Sequence, residues 1–130
     1  MDLLDLPEPR QFVLCRMPLS VSRTSAPAKV WHTCLVLGVT QDYEGRVLVT
    51  LAGTTSKVSG LSSRVQVRAE TPEGRAAGAV KDFELCCEWT KVVPLTAAFF
   101  GDSLTVKGVM TVRLSALLKV AVGNLTRRYQ

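Results

Sequence analysis

The stretch W-H-T-C-L-V-L-G-V-T, Trp31 to Thr40, followed by Q-D-Y-E-G, Gln41 to Gly45, and R-V-L-V-T-L-A, Arg46 to Ala52, decides the fold. The first run is apolar on both faces through its middle, so it predicts a central strand covered on both sides. Asp42 and Gly45 supply turn chemistry, and Arg46 to Ala52 follows as the antiparallel partner. At the far end of this hairpin, Gly53-Thr54-Thr55-Ser56-Lys57 reads as a loop. There a glycine lets backbone N–H groups converge and the hydroxyls add donors, which suits an anion cradle; a solvated turn is the plainer reading.

Outward toward the N-terminus, Gln11 to Met17 is rich in strand formers and ends at Pro18, which cannot donate to a ladder. Leu19 to Val30 has no apolar period and carries Arg23 and Lys29. It predicts an exposed basic loop, of a length that is uncommon in compact domains unless it has a role. Met1 to Arg10 holds Asp2, Asp5, Glu8, Pro7 and Pro9 and reads as a flexible acidic segment without the marks of a signal peptide.

Outward toward the C-terminus, Arg64 to Ala69 alternates strictly, with Val65 and Val67 inward. Thr71 to Gly74 reads as a turn and the stretch to Val80 as loop. Phe83 to Val93 resumes strand character until Pro94, and Thr96 caps one helical turn, Ala97 to Phe100. Leu104 to Val112 is a last strand in which Gly108 allows a bulge or a close approach. From Ser115 a helix places Leu114, Leu117, Leu118 and Ala121 on one face, with Gly123 as its stop. Five or six short antiparallel strands and a terminal helix predict a mainly β (α+β) protein, built as a small bent barrel.

The chain has 130 residues, a net charge of +5, 47% hydrophobic and 21% charged residues, which fits a single globular domain and excludes disordered, collagen-like and coiled-coil classes. No run approaches the apolar length of a membrane span, so a cytoplasmic protein with no membrane association is expected. The four cysteines, Cys15, Cys34, Cys86 and Cys87, form no C-x-x-C pair, and with one histidine a metal site would have to join distant segments. No metal or cofactor is expected. Residues 10 to 29 carry Arg10, Arg16, Arg23 and Lys29 and no acid. An acid cluster, Asp82, Glu84 and Glu88, precedes a basic C-terminal third. This distribution permits polyanion binding, although a solvated basic face explains it equally. Trp31, Tyr43, Phe12 and Trp89 are scattered, which argues against a stacked-base platform.

Taken together, W-H-T-C-L-V-L-G-V, V-L-V-T-L-A-G-T-T-S-K (Val47 to Lys57) and K-V-V-P-L-T-A-A-F-F (Lys91 to Phe100) resemble the MazF/PemK family of endoribonuclease toxins in order and spacing, over most of the chain. The resemblance implies an SH3-like barrel, often a homodimer, that cuts single-stranded RNA without metal by attack of the ribose 2′-OH on the adjacent phosphate, and that is held by an antitoxin. It assigns His32, Thr55 and Ser56 to catalysis and Arg23, Lys29, Thr54 and Lys57 to RNA contacts. Where the family carries Arg-Pro, this chain has His32-Thr33, so an imidazole replaces the phosphate-clamping guanidinium and Arg23 or Lys29 would supply the positive charge. A second expectation is a non-catalytic phage or mobile-element protein that uses the same barrel to bind and inhibit a host defence complex. The long basic loop and the acidic patch suit that role. No P-loop, dinucleotide fingerprint or Ser-His-Asp set is present to support another enzyme class.

Overall fold

The computed structural model describes residues 5–18 and 26–128. Six strands form one antiparallel sheet: β1 (Gln11–Cys15), β2 (His32–Gln41), β3 (Val47–Thr55), β4 (Arg64–Val67), β5 (Phe83–Pro94) and β6 (Val106–Val109), in the order β4-β5-β3-β2-β1-β6. Among the described residues three helices accompany the sheet: α1 (Pro72–Ala77), α2 (Ala97–Phe100) and α3 (Val112–Arg128). The protein is therefore mainly β with a C-terminal helix.

The central hairpin follows its sequence. Asp42 accepts the backbone N–H groups of Glu44 and Arg46, both at 2.9 Å, and its carboxylate receives Arg46 Nε at 2.7 Å, which fixes the turn between β2 and β3. Both faces of the sheet are covered, as the double apolar run of β2 requires. One face packs Val13, Cys34, Val36, Val49, Leu51 and Val93 against Phe99 and Phe100 of α2. The other packs Phe12, Leu35, Ala52, Val65, Val67 and Leu85 against Ala77 of α1 and Leu114 and Ala121 of α3. Register shifts at Phe12/Val13, Val36/Gly38 and Ala52/Gly53 bend the sheet between these two layers.

Strands β1 and β4 each end two residues earlier than the sequence reading, and four larger differences follow. Strand β3 continues through Gly53, Thr54 and Thr55, which pair with Cys86, Leu85 and Glu84, so the expected loop is strand up to Ser56. The turn and loop expected over Thr71 to Val80 contain α1. Thr71 accepts Gly74 N–H at 3.2 Å, Pro72 opens the helix, and Gly78 closes it at φ 76°. Strand β6 is confined to Val106–Val109 because Thr111 already caps α3, accepting Leu114 N–H at 3.1 Å. Gly123 does not stop α3; the helix runs on to Arg128, tied down by the Asn124 side-chain amide on the Ser62 carbonyl at 3.0 Å. The buried stripe is Leu114, Leu118, Ala121 and Leu125, whereas Leu117 lies off it and is 42% exposed.

Helix α1 leaves the edge strand β4 and packs against the opposite edge strand, β6. Gly108 makes that contact possible, as its sequence position suggested, because a Cβ there would meet the Ala76 and Ala77 carbonyls, which are backbone and cannot give way. Gly108→Ala should therefore lower stability by about 1–3 kcal/mol, roughly 4–12 °C in Tm. Gly123→Ala, with nothing within 4 Å of the added Cβ, should raise stability by about 1 kcal/mol. Thermal unfolding of the two variants checks both signs.

Candidate functional site

Antiparallel pairing brings the start of β2 and the end of β3 to the same end of the sheet, where they line a cleft of about 730 Å³. His32, Thr54, Thr55, Ser56 and Lys57 all border it. The chain between α1 and β5, including Lys81, forms a further part of the lining, together with Lys107 of β6.

Trp89 organises this region. Its indole N–H donates to the Pro18 carbonyl at 2.7 Å, and its ring meets His32 edge to face, with centroids 5.2 Å apart and planes at 84°. Gly53 is small because the Trp89 ring lies directly on it, so that any Cβ would overlap the indole. This glycine serves packing rather than convergence of N–H groups on an anion. Nδ1 of His32 is buried and has no hydrogen-bond partner among the described residues.

The three hydroxyls after Gly53 have different surroundings. Thr54 borders the cleft but is buried and donates to the Thr33 carbonyl at 2.7 Å, so its hydroxyl proton locks β3 to β2. Thr55 accepts Lys57 N–H at 3.1 Å and keeps its own proton for donation, and Ser56 is exposed. Among the positive groups assigned to RNA, Lys57 lines the cleft, Lys29 is exposed but not part of its lining, and Arg23 lies outside the described residues. Lys81 and Lys107, which sequence reasoning missed, take their place. No ion pair joins Lys57, Lys81 or Lys107 to an acid among the described residues.

Of the acid cluster, Asp82 and Glu88 are exposed and Glu84 is not. Asp82 accepts Ala69 N–H at 2.8 Å, and Glu88 pairs with Arg64 Nε at 2.6 Å on the border of the cleft. Glu84 is completely buried and accepts Ser59 N–H, the Ser59 hydroxyl, Gly60 N–H and Arg64, at 3.0, 2.9, 3.1 and 3.2 Å, which pins the segment after β3 against β5. Burial by itself would raise the Glu84 carboxyl, but these donors outweigh it and lower it from the usual 4.5 to about 2. Burial pushes the thiols of Cys86 and Cys87 up to about 11, and all four cysteines are buried and unbridged. Among the described residues no group of three or more His, Cys, Asp and Glu side chains is placed to hold a metal ion, and no helix is long and apolar enough to cross a membrane.

The site thus combines an imidazole, two hydroxyls, a carboxylate held by arginine, and three ammonium groups around an open cleft. That set can bind a phosphodiester and move protons. The chain matches no protein-family model and no curated protein.

Because Glu84 is more acidic folded than unfolded, the stability it contributes is present above about pH 4.5 and is lost as pH falls toward 2. Wild-type Tm should fall through that window. Glu84→Gln should be less stable at pH 7, on the order of 3 kcal/mol, and should show a flatter acid limb. A parallel pH dependence in the two proteins would contradict this role.

Proposed function

We propose that the protein is a MazF/PemK-like endoribonuclease that cleaves single-stranded RNA by metal-independent transesterification in the cytoplasm, where its cysteines stay reduced. One observation carries the reading: His32, Thr55, Ser56 and the cations Lys57, Lys81 and Lys107 share a single cleft. The ribose 2′-oxygen attacks phosphorus, the bond from phosphorus to O5′ breaks, and the products are a 2′,3′-cyclic phosphate and a 5′-hydroxyl. One group must take the 2′-OH proton and another must give one to O5′. His32 serves as one of the two and the Glu88 carboxylate as the other. Thr55 and Ser56 donate hydrogen bonds to the non-bridging oxygens as charge builds in the phosphorane. The lysines hold the flanking phosphates.

The partners that go with this reading are single-stranded RNA, an antitoxin and, as a homodimer, a second copy of the chain. The non-catalytic alternative, a scaffold that binds and inhibits a host defence complex, is favoured by one observation. The outer face of α3 leaves Val112 and Val120 77% and 62% exposed beside Arg113 and Lys119. Such an apolar and basic face suits a protein partner.

Purified protein should cleave unstructured RNA equally with and without EDTA, leaving cyclic phosphate ends. His32→Ala should abolish cleavage, and Thr55→Val or Ser56→Ala should slow it by about 10- to 1,000-fold. Lys81→Ala and Lys107→Ala should each weaken binding and lower the salt slope by about one unit. Intact RNA at high protein concentration, with one stoichiometric protein partner recovered equally by wild type and His32→Ala, would favour the scaffold instead.

A further inference from the structure

Trp31 immediately precedes His32 and lines the same cleft, yet its side chain is held in place from outside it. The Arg16 guanidinium lies 4.6 Å from the indole centroid. Arg16 is itself fixed, its N–H donating to Phe99 and its carbonyl accepting Ala28 N–H, at 2.8 and 3.0 Å. Its Nε is buried without a hydrogen-bond partner among the described residues, so the contact it makes there is with the ring. Gly101 leaves room for the far edge of the indole; a Cβ there would come within 3.3 Å of Cη2. Despite these supports, Trp31 remains 39% exposed.

An aromatic ring immobilised before any ligand arrives, and still open on a basic cleft, has the properties of a stacking surface. Its ordering entropy has already been lost on folding, so a planar ligand gains the full contact. Trp89 cannot play this part, because it is buried and its N–H is committed to Pro18.

We infer that Trp31 is a platform for one unpaired nucleobase, next to the phosphate held by His32, Thr55 and Ser56. The position of that phosphate rests on the ribonuclease reading; the platform itself rests on the Trp31 geometry. One stacking residue selects for a single-stranded, unstacked nucleotide and tolerates base identity, because every base presents a π-face. The platform escaped the sequence reading because it needs one aromatic residue and a cation from the chain just after β1, not a cluster of aromatics.

The test uses an uncleavable 2′-O-methyl oligonucleotide and the same oligonucleotide with one abasic spacer moved along it. Wild type should bind with quenching of tryptophan fluorescence. Trp31→Phe should bind within about threefold of wild type with most of the quenching lost, since the remaining Trp89 lines the cleft with only 9% of its surface exposed. Trp31→Ala should bind about 10- to 100-fold more weakly, and an abasic spacer at one position should cost wild type as much while costing Trp31→Ala nothing further. Thermal unfolding confirms that both variants are folded. Unchanged affinity in Trp31→Ala, or quenching undiminished in Trp31→Phe, overturns the platform even if RNA is cleaved. Trp31-dependent binding without cleavage of ordinary RNA supports the platform and overturns the ribonuclease reading. Absence of any oligonucleotide binding overturns both.

Discussion

The Trp89 indole is the contact on which the rest of the cleft depends. It lies on the Gly53 backbone, meets the His32 ring edge to face, and donates its N–H to Pro18, so one side chain fastens β5 to β3, to the start of β2 and to the chain leaving β1. Burying a ring of this size, with its polar atom satisfied, is among the larger favourable contributions a single residue can make. The edge-to-face contact adds about 0.5–1.5 kcal/mol and sets the orientation of the imidazole. Without Gly53 the ring could not reach that position, and His32 would have no wall to rest on.

Charge is arranged by subtraction. Net charge describes the whole chain, but a ligand meets only the charges left unpaired around the cleft. Glu84 is neutralised inside the protein by Arg64 and by backbone N–H groups, Glu88 shares the same guanidinium, and Asp82 is occupied by Ala69. Glu84 thus spends its charge on the fold and Glu88 meets the cleft already paired with Arg64, while Lys57, Lys81 and Lys107 line the same concave space. A buried carboxylate is costly unless every lone pair is answered, and Glu84 meets that condition with donors from two separate segments.

The elements most legible in the sequence were those with strong periodicity or turn chemistry. The β2–β3 hairpin, the inward Val65 and Val67, the helical turn at Ala97 and the close approach at Gly108 follow from local pattern. Helix α1 was hidden because two glycines in a short alanine-rich stretch resemble loop, although Thr71 and Pro72 carry a start signal. The convergence of His32 with Thr55, Ser56 and Lys57 was legible because β2 and β3 are consecutive and antiparallel. Lys81 and Lys107 were not, since they reach the cleft through the packing of α1 on β6, a contact with no local signature. Nor was the burial of Glu84: in sequence it is one acid of three, and only the pairing of β4 with β5 decides which of them turns inward.

The position of β1 in the sheet also sets an order of assembly. Strands β2 and β3 are joined by a five-residue turn and can pair early and β1 adds to β2, whereas β6 must wait for β1, with Phe12 opposite Gly108. Pairings that close long loops come late, because the loop entropy is lost before the contact is gained. Lys107 belongs to that late strand. A partly folded chain would therefore hold the imidazole and hydroxyls in place while the cleft still lacked one wall, and ligand affinity would mature only in the final folding step.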